Sequence, residues 1–169
     1  MSSEILVAYA TKMGSTAEIA EAIGAELRAH GHQVDVRNVT DVGSISDYDV
    51  VILGSAIYIR RWRREAVRFL RKHADELSDR RVWLFHSGPV GPDKDQAQEL
   101  PGNVRRLARL IGAGPVMTFA GRLQPQTAKG FLARRLARGE LATDSRDWAL
   151  IKNWAAGIAT TLTSSEAGS

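Results

Sequence analysis

The strongest chemical signal in this sequence is a short turn rich in hydroxyl groups. Thr11, Ser15 and Thr16 surround one glycine, Gly14, between a run of apolar residues and an amphipathic segment. A turn of this kind at a helix N-terminus offers backbone N–H groups, side-chain O–H donors and the positive end of the helix dipole to a phosphate. Ser15 alone could instead cap the helix, with Glu18 completing a capping box. Three hydroxyl groups around one turn favour phosphate binding. The turn lacks the Gly-Lys-Ser/Thr ending of a Walker loop and the three glycines of a dinucleotide fingerprint.

Two segments carry most of the positive charge of the chain, whose net charge is +4. Residues 60–72 contain seven basic residues and one acid, and residues 122–138 contain five basic residues and no acid. Such patches favour anionic partners, which are nucleic acid, anionic lipid or an acidic small molecule. Nucleic-acid binding would also require a groove-docking module or stacked surface aromatic residues, and the sequence shows neither. We therefore expect no nucleic-acid partner.

Apolar runs and amphipathic segments alternate along the chain and must position these residues. Short apolar runs predict strands, and apolar residues spaced by about four predict helices. The predicted strands are 5–9, 33–39, 49–54, 81–85 and 115–120, and the predicted helices are 16–30, 62–77, 104–111 and 144–162. This alternation predicts an α/β fold with a doubly wound, five-stranded parallel sheet in the order 2-1-3-4-5. Ligands of such sheets bind at the carboxyl ends of strands one and three.

One domain is expected over residues 1–162. An insert at about 121–143 separates the fifth strand from the last helix, and a loop of this length is usually functional or forms its own secondary structure. Residues 163–169 form a polar tail that is expected to be disordered.

Several classes of protein are excluded or disfavoured by composition. The 169 residues include no Cys, which excludes disulfides and Cys-ligated metal sites, and the four His show no metal-ligand spacing. A receiver domain shares the strand order but needs acidic residues where this chain has Ala10, Thr11 and Gly54. No apolar run is long enough to span a membrane, and the N-terminus has no signal-peptide pattern, so a cytoplasmic location is expected.

The stretch from Val7 to Ile23 resembles the flavodoxin signature of an apolar strand, an aromatic residue and Thr-x-x-Gly-x-Thr-x-x-x-Ala-x-x-Ile. The matching positions are Tyr9, Thr11, Gly14, Thr16, Ala20 and Ile23, and Ala8 departs where a bulkier residue is usual. The resemblance implies a flavodoxin-like fold whose cofactor is FMN. It assigns the FMN phosphate to the first turn, formed by Thr11, Lys12, Met13, Gly14, Ser15 and Thr16. The alternative for Lys12 is a solvated surface lysine.

The same resemblance assigns FMN contacts to two later loops. The second loop, 54–62, implies contacts to the isoalloxazine ring from Ser55, Ala56, Ile57 and Tyr58. Tyr58 is expected to stack on the ring, whereas Trp62 is expected to pack in the core. The third loop, 86–91, implies contacts to the pyrimidine edge from Ser87, Gly88, Pro89 and Gly91. His86 is expected to be a satisfied histidine at a strand end rather than a proton relay.

The chain is also similar to one branch of the flavodoxin superfamily, the menaquinone-dependent protoporphyrinogen IX dehydrogenases. The similarity rests on GSAIY at 54–58, FAGRL at 119–123 and GELATDSRDW at 139–148. It implies an FMN-dependent oxidoreductase of heme biosynthesis that oxidises protoporphyrinogen IX with a quinone acceptor, and arginines at 60–64 that pair with its propionates. The basic segment 122–139 is expected to dock on an anionic membrane surface or an acidic substrate. The alternative is that its apolar side packs on the sheet and its arginines are solvated. A flavodoxin-type one-electron carrier between soluble redox partners is the alternative function.

Overall fold

The computed structural model describes residues 3–12, 14–88, 98–120 and 146–168. Its strands are β1 (Glu4–Ala10), β2 (Gln33–Asn38), β3 (Val50–Tyr58), β4 (Arg61–Trp62), β5 (Arg81–Gly88) and β6 (Met117–Ala120). Its helices are α1 (Ser15–Ala29), α2 (Arg64–Lys72), α3 (Ala74–Ser78), α4 (Gly102–Leu110) and α5 (Trp148–Ala167), with a 3-10 turn at Val39–Asp41. Strands and helices alternate as the hydrophobic pattern predicts.

Five of the strands form a parallel sheet in the order β2-β1-β3-β5-β6. This order confirms the predicted doubly wound α/β fold, since β5 and β6 are the fourth and fifth predicted strands. The short strand β4 is an addition to the predicted set, and it pairs antiparallel with the end of β3. The alternating strand β2 lies at the edge, where one of its faces meets solvent.

The two faces of the central strands pack against two apolar clusters. In β1, Leu6 and Ala8 belong to the cluster formed with α2, α3 and α4, whereas Ile5 and Val7 belong to the cluster formed with α1 and α5. None of these four side chains is exposed, as expected for a strand whose successive side chains point to opposite covered faces. Helices thus cover both faces, and ligands reach the sheet at its ends.

Helix α1 begins one residue earlier than the predicted capping pattern requires. Its N-cap is Gly14, which has a left-handed φ of 88°, and Ser15 is the first helical residue. The predicted capping box of Ser15 with Glu18 is therefore wrong, because the capping residue must precede the helix. Glu18 instead pairs with Arg146, just before α5. Glycine suits the cap position because L side chains rarely adopt a positive φ.

Helix α5 extends to Ala167, beyond its predicted end at residue 162. Residues 163–167 are therefore helical, and the expected disorder of this stretch is wrong. The Ser3 hydroxyl donates a hydrogen bond to Glu166 at 2.7 Å, and the Arg81 guanidinium donates one to the Ser165 hydroxyl at 2.9 Å. These partners lie at the start of β1 and β5, so the end of the helix is stabilised by tertiary contacts that a local polarity pattern does not show.

Two predicted helices differ in detail from those observed. The single helix predicted over 62–77 is divided into α2 and α3 at His73, and Trp62 belongs to β4 because the chain before α2 folds back onto β3. Trp148, predicted on the buried side of the last helix, is 38% exposed. Its ring instead contacts the guanidinium of Arg146, 4.4 Å from the ring centroid.

The predicted insert at 121–143, with its basic segment 122–139, lies outside the described residues. The FAGRL and GELATDSRDW motifs overlap it and are described only at 119–120 and 146–148. Among the helices that are described, none is long and apolar enough to span a bilayer.

Candidate cofactor site

The three predicted loops meet at the carboxyl edge of the sheet. The strand register places Ala10 of β1 beside Ser55 of β3, and Ser55 beside His86 of β5. One residue further along, Ala56 lies beside Ser87. This edge, next to the point where the strand order reverses, is the ligand position of a doubly wound sheet. We call it the cofactor edge, and its described residues are 11–12, 14–16, 55–58 and 87–88.

The turn after β1 is closed by a hydroxyl group and a glycine. Thr11 Oγ1 accepts a hydrogen bond from the Gly14 N–H at 2.9 Å, and Gly14 has a left-handed backbone. As an acceptor, the Thr11 hydroxyl retains its proton for a second hydrogen bond. The turn leads directly into α1, where the first N–H groups of a helix have no intrahelical partner. It is therefore built to present donors to an anion.

Thr16 and Ser87 join the first and third loops directly. Their hydroxyl oxygens lie 2.6 Å apart, and either one can donate. Both side chains are buried, with 1% and 5% of their surface exposed. Only one of their two protons lies between the oxygens, so the pair has one further O–H to offer a ligand. The fold thus brings together two predicted site residues from distant parts of the chain.

The second predicted loop is a strand and a tight hairpin rather than a loop. β3 continues to Tyr58 and β4 returns beside it, with Ile57 paired to Trp62 and Tyr58 paired to Arg61. The expectation that 54–62 forms a loop is therefore wrong. The sequence predicts the end of this strand at Gly54 because its continuous apolar run ends there. In the structure, β3 pairs with β1 as far as Ser55 and then with β4, and the apolar pattern of one strand does not indicate such pairing.

The turn of this hairpin is left-handed at both of its residues, Ile59 with φ of 50° and Arg60 with φ of 58°. This is the backbone sign of a two-residue type I′ turn, which usually carries Asn-Gly. At the base of the hairpin, Ser55 Oγ accepts a hydrogen bond from the Arg63 N–H at 3.0 Å and donates one to the Ala56 carbonyl at 2.9 Å. The Ser55 hydroxyl is thus engaged within the protein, in holding the hairpin to β3.

Lys12 and Tyr58 contact each other where the first and second loops meet. The Lys12 Nζ lies 4.5 Å from the centroid of the Tyr58 ring, a cation–π contact worth roughly 0.5–1 kcal/mol at an exposed site. Lys12 is therefore more than a solvated lysine. The Tyr58 side chain is 61% exposed, which leaves much of its ring open to a flat ligand.

Residues 86–88, predicted as the start of the third loop, are instead the end of β5, because this strand stays paired with β3 and β6 beyond its apolar run. Gly88 allows the ends of β3 and β5 to approach closely: a Cβ atom at this position would lie only 2.4 Å from the Ile57 Cγ2 atom, so a side chain would push the two strand ends apart. The remaining predicted site residues, Met13, Pro89 and Gly91, lie outside the described residues.

A buried polar chain, which the sequence does not reveal, runs behind the cofactor edge. The Trp62 Nε1–H donates to His86 Nδ1 at 3.1 Å. A neutral His86 then carries its proton on Nε2 and donates it to Thr118 Oγ1 at 2.8 Å. Thr118 Oγ1 also accepts from the Gln98 N–H at 3.1 Å.

Both ring nitrogens of His86 have a hydrogen-bond partner, so the histidine is satisfied, as the sequence predicts. Its side chain is fully buried, and burial lowers its pKa to about 4. Trp62 is 5% exposed and packs in the apolar core, which confirms its predicted place. Their bond holds the β3–β4 hairpin against the end of β5.

The sheet order and the hydroxyl-rich turn at its carboxyl edge define the class of flavodoxin-like domains. The chain belongs to the flavodoxin domain family, whose model matches residues 6–135. FMN is the cofactor that this family implies. The described turn fits the phosphate end of FMN, because it combines a left-handed Gly14 and hydroxyl donors with no acidic side chain between Ala10 and Ala17.

Individual proteins are similar to this chain in sequence or in structure. Over 75 residues, the chain is 33% identical to protoporphyrinogen IX dehydrogenase [quinone] of Escherichia coli strain K12; the match covers 43% of this chain and 41% of that protein, less than half of its length. Flavodoxin 2 from Bacillus cereus matches in structure with a TM-score of 0.61 and 23% identity, over 95% of this chain and 99% of that one. The rubredoxin oxygen:oxidoreductase of Desulfovibrio gigas matches with a TM-score of 0.64 and 14% identity, over 95% of this chain and 36% of that one.

Proposed function

We propose that this chain binds FMN at the cofactor edge and works as an FMN-dependent oxidoreductase. Bound FMN supplies the ability to take electrons from one partner and pass them to another. The observation that carries this proposal is the contact of Thr16 with Ser87, 2.6 Å apart, because it brings the first turn and the third loop around one ligand position. Membership of the flavodoxin domain family supports the choice of cofactor.

The first turn, Thr11 to Thr16, is proposed to hold the phosphate. Its donors are backbone N–H and side-chain O–H groups, and a hydrogen bond to a charged group contributes about 1.5–3 kcal/mol. Lys12 is the one cationic side chain in this stretch of sequence, and it contacts Tyr58. The phosphate is then held by oriented dipoles rather than by an ion pair.

The hairpin and the end of β5 are proposed to hold the flavin ring. Tyr58 offers an exposed aromatic face, which suits offset stacking on a flat π-system. The backbone of Ser55 to Ile57 and of Ser87 and Gly88 is proposed to contact the polar edge of the ring. The close approach of Ile57 and Gly88 supports this arrangement, since it fixes the spacing between the two segments.

We propose further that the electron donor is protoporphyrinogen IX and the acceptor a quinone, which assigns the chain to heme biosynthesis. The partial match to protoporphyrinogen IX dehydrogenase [quinone] supports this reaction. The exposed arginines Arg60, Arg61 and Arg64, which follow Tyr58 in the sequence, add support because guanidinium groups pair well with the two propionates of a porphyrinogen.

A one-electron carrier between redox partners is the second candidate. The match to Bacillus cereus flavodoxin 2 over nearly the whole of both chains favours it. The basic residues 60–72 would then face an acidic partner protein. The two candidates share the cofactor and differ in whether a small organic molecule reduces it.

Anaerobic mixing of the oxidised, FMN-loaded protein with protoporphyrinogen IX separates these candidates. The dehydrogenase proposal predicts bleaching of the visible flavin absorbance together with the appearance of porphyrin fluorescence, and recovery of the absorbance when a menaquinone analogue is added. A flavin that porphyrinogen leaves oxidised, but that a flavodoxin reductase reduces rapidly, would establish the carrier instead. A protein that takes up no FMN would overturn both.

A further inference from the structure

A cleft opens beside the cofactor edge. Its volume is about 1110 Å³, slightly above the range of roughly 300–1,000 Å³ that is usual for small-molecule sites. The β3–β4 hairpin and α2 form one wall, and residues 98–105, which lead into α4 and form its first turn, form the other. This cleft is separate from the turn proposed to hold the FMN phosphate.

Arginine side chains dominate the lining of this cleft. The six arginines that line it are Arg60, Arg61, Arg64, Arg68, Arg71 and Arg105. Three of them, on α2, recur at the i, i+4 and i+7 spacing that places side chains on one helix face. Glu99 is the one acidic residue among the described lining residues, and it pairs with Arg105 at 3.1 Å. We call this site the arginine cleft.

The arginines of α2 lack a protein counter-ion in the part of the chain that the structure describes. Arg64, Arg68 and Arg71 are exposed, and no described carboxylate pairs with them. Neighbouring guanidinium groups repel one another, and an anion with several charged groups relieves that repulsion. Arginine also binds planar carboxylates through two parallel N–H donors, which lysine cannot do.

Apolar side chains accompany these charges. Trp62, Val67, Leu100 and Pro101 line the same cleft. Trp62 and Val67 are almost completely buried, at 5% and 8% exposed, so they form its floor rather than its rim. The cleft therefore offers apolar as well as cationic groups to a ligand.

Both walls of the arginine cleft are fixed to the strand that ends at the cofactor edge. Trp62, in one wall, donates to His86, and Gln98, in the other wall, donates to Thr118, which His86 also contacts. The Gln98 side chain also lies near Gly88, with its Cγ atom 3.9 Å from the position of a Cβ there. The cleft and the cofactor edge are thus neighbours on one rigid frame.

We propose that the arginine cleft binds an organic anion that carries two or more carboxylates on an apolar body, and holds it beside the cofactor. The concave shape favours a discrete molecule, because groups on both walls can contact it at once. The identity of the body as a tetrapyrrole rests on the proposed function; the requirement for several anionic groups rests on the arginines.

Titration of the FMN-loaded full chain with protoporphyrin IX, followed by the anisotropy of porphyrin emission at low salt, tests this proposal. Protoporphyrin IX dimethyl ester is the matched ligand, since it has the same ring without the carboxylates. The test variant is Arg64→Gln, Arg68→Gln and Arg71→Gln together. The matched control is Arg106→Gln, Arg109→Gln and Lys152→Gln together, which removes the same charge from exposed positions outside the described lining.

We expect saturable binding of the diacid to the wild-type protein. The affinity should fall about tenfold or more in the cleft variant, because loss of one charge-assisted hydrogen bond alone corresponds to about tenfold. The control variant should bind within about twofold of wild type. Equal binding of the diacid and the ester would overturn the proposal, as would equal weakening by the two triple variants. Preference for anionic vesicles over the diacid would replace the small anion with a lipid surface. FMN content and flavin reduction by dithionite are measured in every sample. If both are retained, a failure to bind the porphyrin concerns the arginine cleft alone. If either is lost, the failure concerns the proposed function.

Discussion

The cofactor edge and the arginine cleft adjoin each other, and we propose that they recognise negative charge in different ways. The turn at the cofactor edge relies on hydroxyl groups, backbone N–H groups and a helix N-terminus, with the Thr16–Ser87 pair almost wholly buried. The arginine cleft relies on exposed guanidinium groups. Oriented dipoles are fixed by the fold and little affected by salt, whereas exposed charges are screened within about 8–10 Å at physiological salt. We therefore expect permanent cofactor binding in one region and exchangeable, salt-sensitive binding in the other.

The buried chain from Trp62 through His86 and Thr118 to Gln98 connects the two regions. It satisfies every polar atom of the histidine ring and ties the hairpin to β5 and β6. A fully satisfied buried network of this kind makes its surroundings rigid, and a partly broken one is costly. The comparison indicates that an exposed, charged site such as the arginine cleft can lie beside a cofactor site when the buried polar chain between them is uncharged and fully hydrogen-bonded.

Breaking the connecting chain should have the largest effect on stability. His86→Leu leaves the buried Trp62 N–H without its acceptor, at a cost of about 1–3 kcal/mol, and removes one hydrogen bond from Thr118 Oγ1, which keeps its contacts to Gln98. We expect the free energy of unfolding at pH 7, measured with urea, to fall by about 3 kcal/mol.

The same histidine gives the wild-type protein a pH dependence of known sign. Unfolded His86 binds a proton near pH 6.5, whereas burial lowers the pKa of the folded residue to about 4. The unfolded chain thus binds more protons between these values, so stability should fall by about 3 kcal/mol as the pH drops from about 6.5 to about 4. His86→Leu should lose this slope, and His30→Gln, at an exposed position, should keep it. A slope unchanged in His86→Leu would contradict the account.

Removing one hydroxyl of the cofactor edge should weaken FMN binding without affecting the arginine cleft. Thr16→Val keeps the shape of the side chain and removes the hydroxyl that contacts Ser87. We expect FMN affinity, measured by quenching of flavin fluorescence, to fall about tenfold to 100-fold. Thr40→Val, at an exposed position with a local hydrogen bond to Asn38, should retain wild-type affinity. Equal affinity in both variants would exclude Thr16 from the phosphate site.

Removing the aromatic ring of the hairpin should have a smaller effect. Tyr58→Ala removes a stacking surface worth about 1 kcal/mol, so FMN affinity should fall several-fold and the reduction potential should shift. Tyr58→Phe, which keeps the ring, is the matched control and should preserve both. If Tyr58→Ala keeps wild-type affinity and potential, the stacking role belongs to another residue or to no aromatic at all.

Relieving the strain of the hairpin turn should give the smallest effect, and it should be favourable. Ile59 has a positive φ that β-branched residues avoid, and asparagine tolerates it. Ile59→Asn should raise the free energy of unfolding by about 0.5–1 kcal/mol. Gly43→Asn, at an exposed glycine without a positive φ, controls for the new side chain. A lower stability in Ile59→Asn would mean that the exposed isoleucine makes a contact that outweighs the strain.

The sequence is sufficient to predict the sheet and the first turn because both are encoded locally. Continuous apolar runs mark buried strands, and the spacing of Thr11, Gly14 and Thr16 predicts within six residues a turn suited to phosphate. The partnership of Thr16 with Ser87 could be placed only approximately, at the shared edge of the sheet. Its direct contact depends on the register between β3 and β5.

The features that could not be predicted depend on contacts between distant segments. Thr118 and Gln98 are ordinary polar residues in the sequence, and they meet His86 only because β6 pairs with β5 and the chain before α4 lies alongside. The hairpin at 58–61 carries Ile and Arg in place of the usual Asn-Gly, so its turn has no local signal. The arginine cleft likewise requires two helices to face each other across a gap.

Titration of the protein with FMN at low and high salt, with flavin fluorescence as the readout, tests the central claim most directly. The account predicts quenching at micromolar protein or below, and a dissociation constant that changes by no more than about threefold between the two salt concentrations, because dipoles rather than exposed charges hold the phosphate. The triple arginine variant of the cleft should give the same curve as wild type. No quenching at micromolar protein would contradict FMN binding, and a large loss of affinity in high salt would contradict the assignment of the phosphate to the Thr11–Thr16 turn.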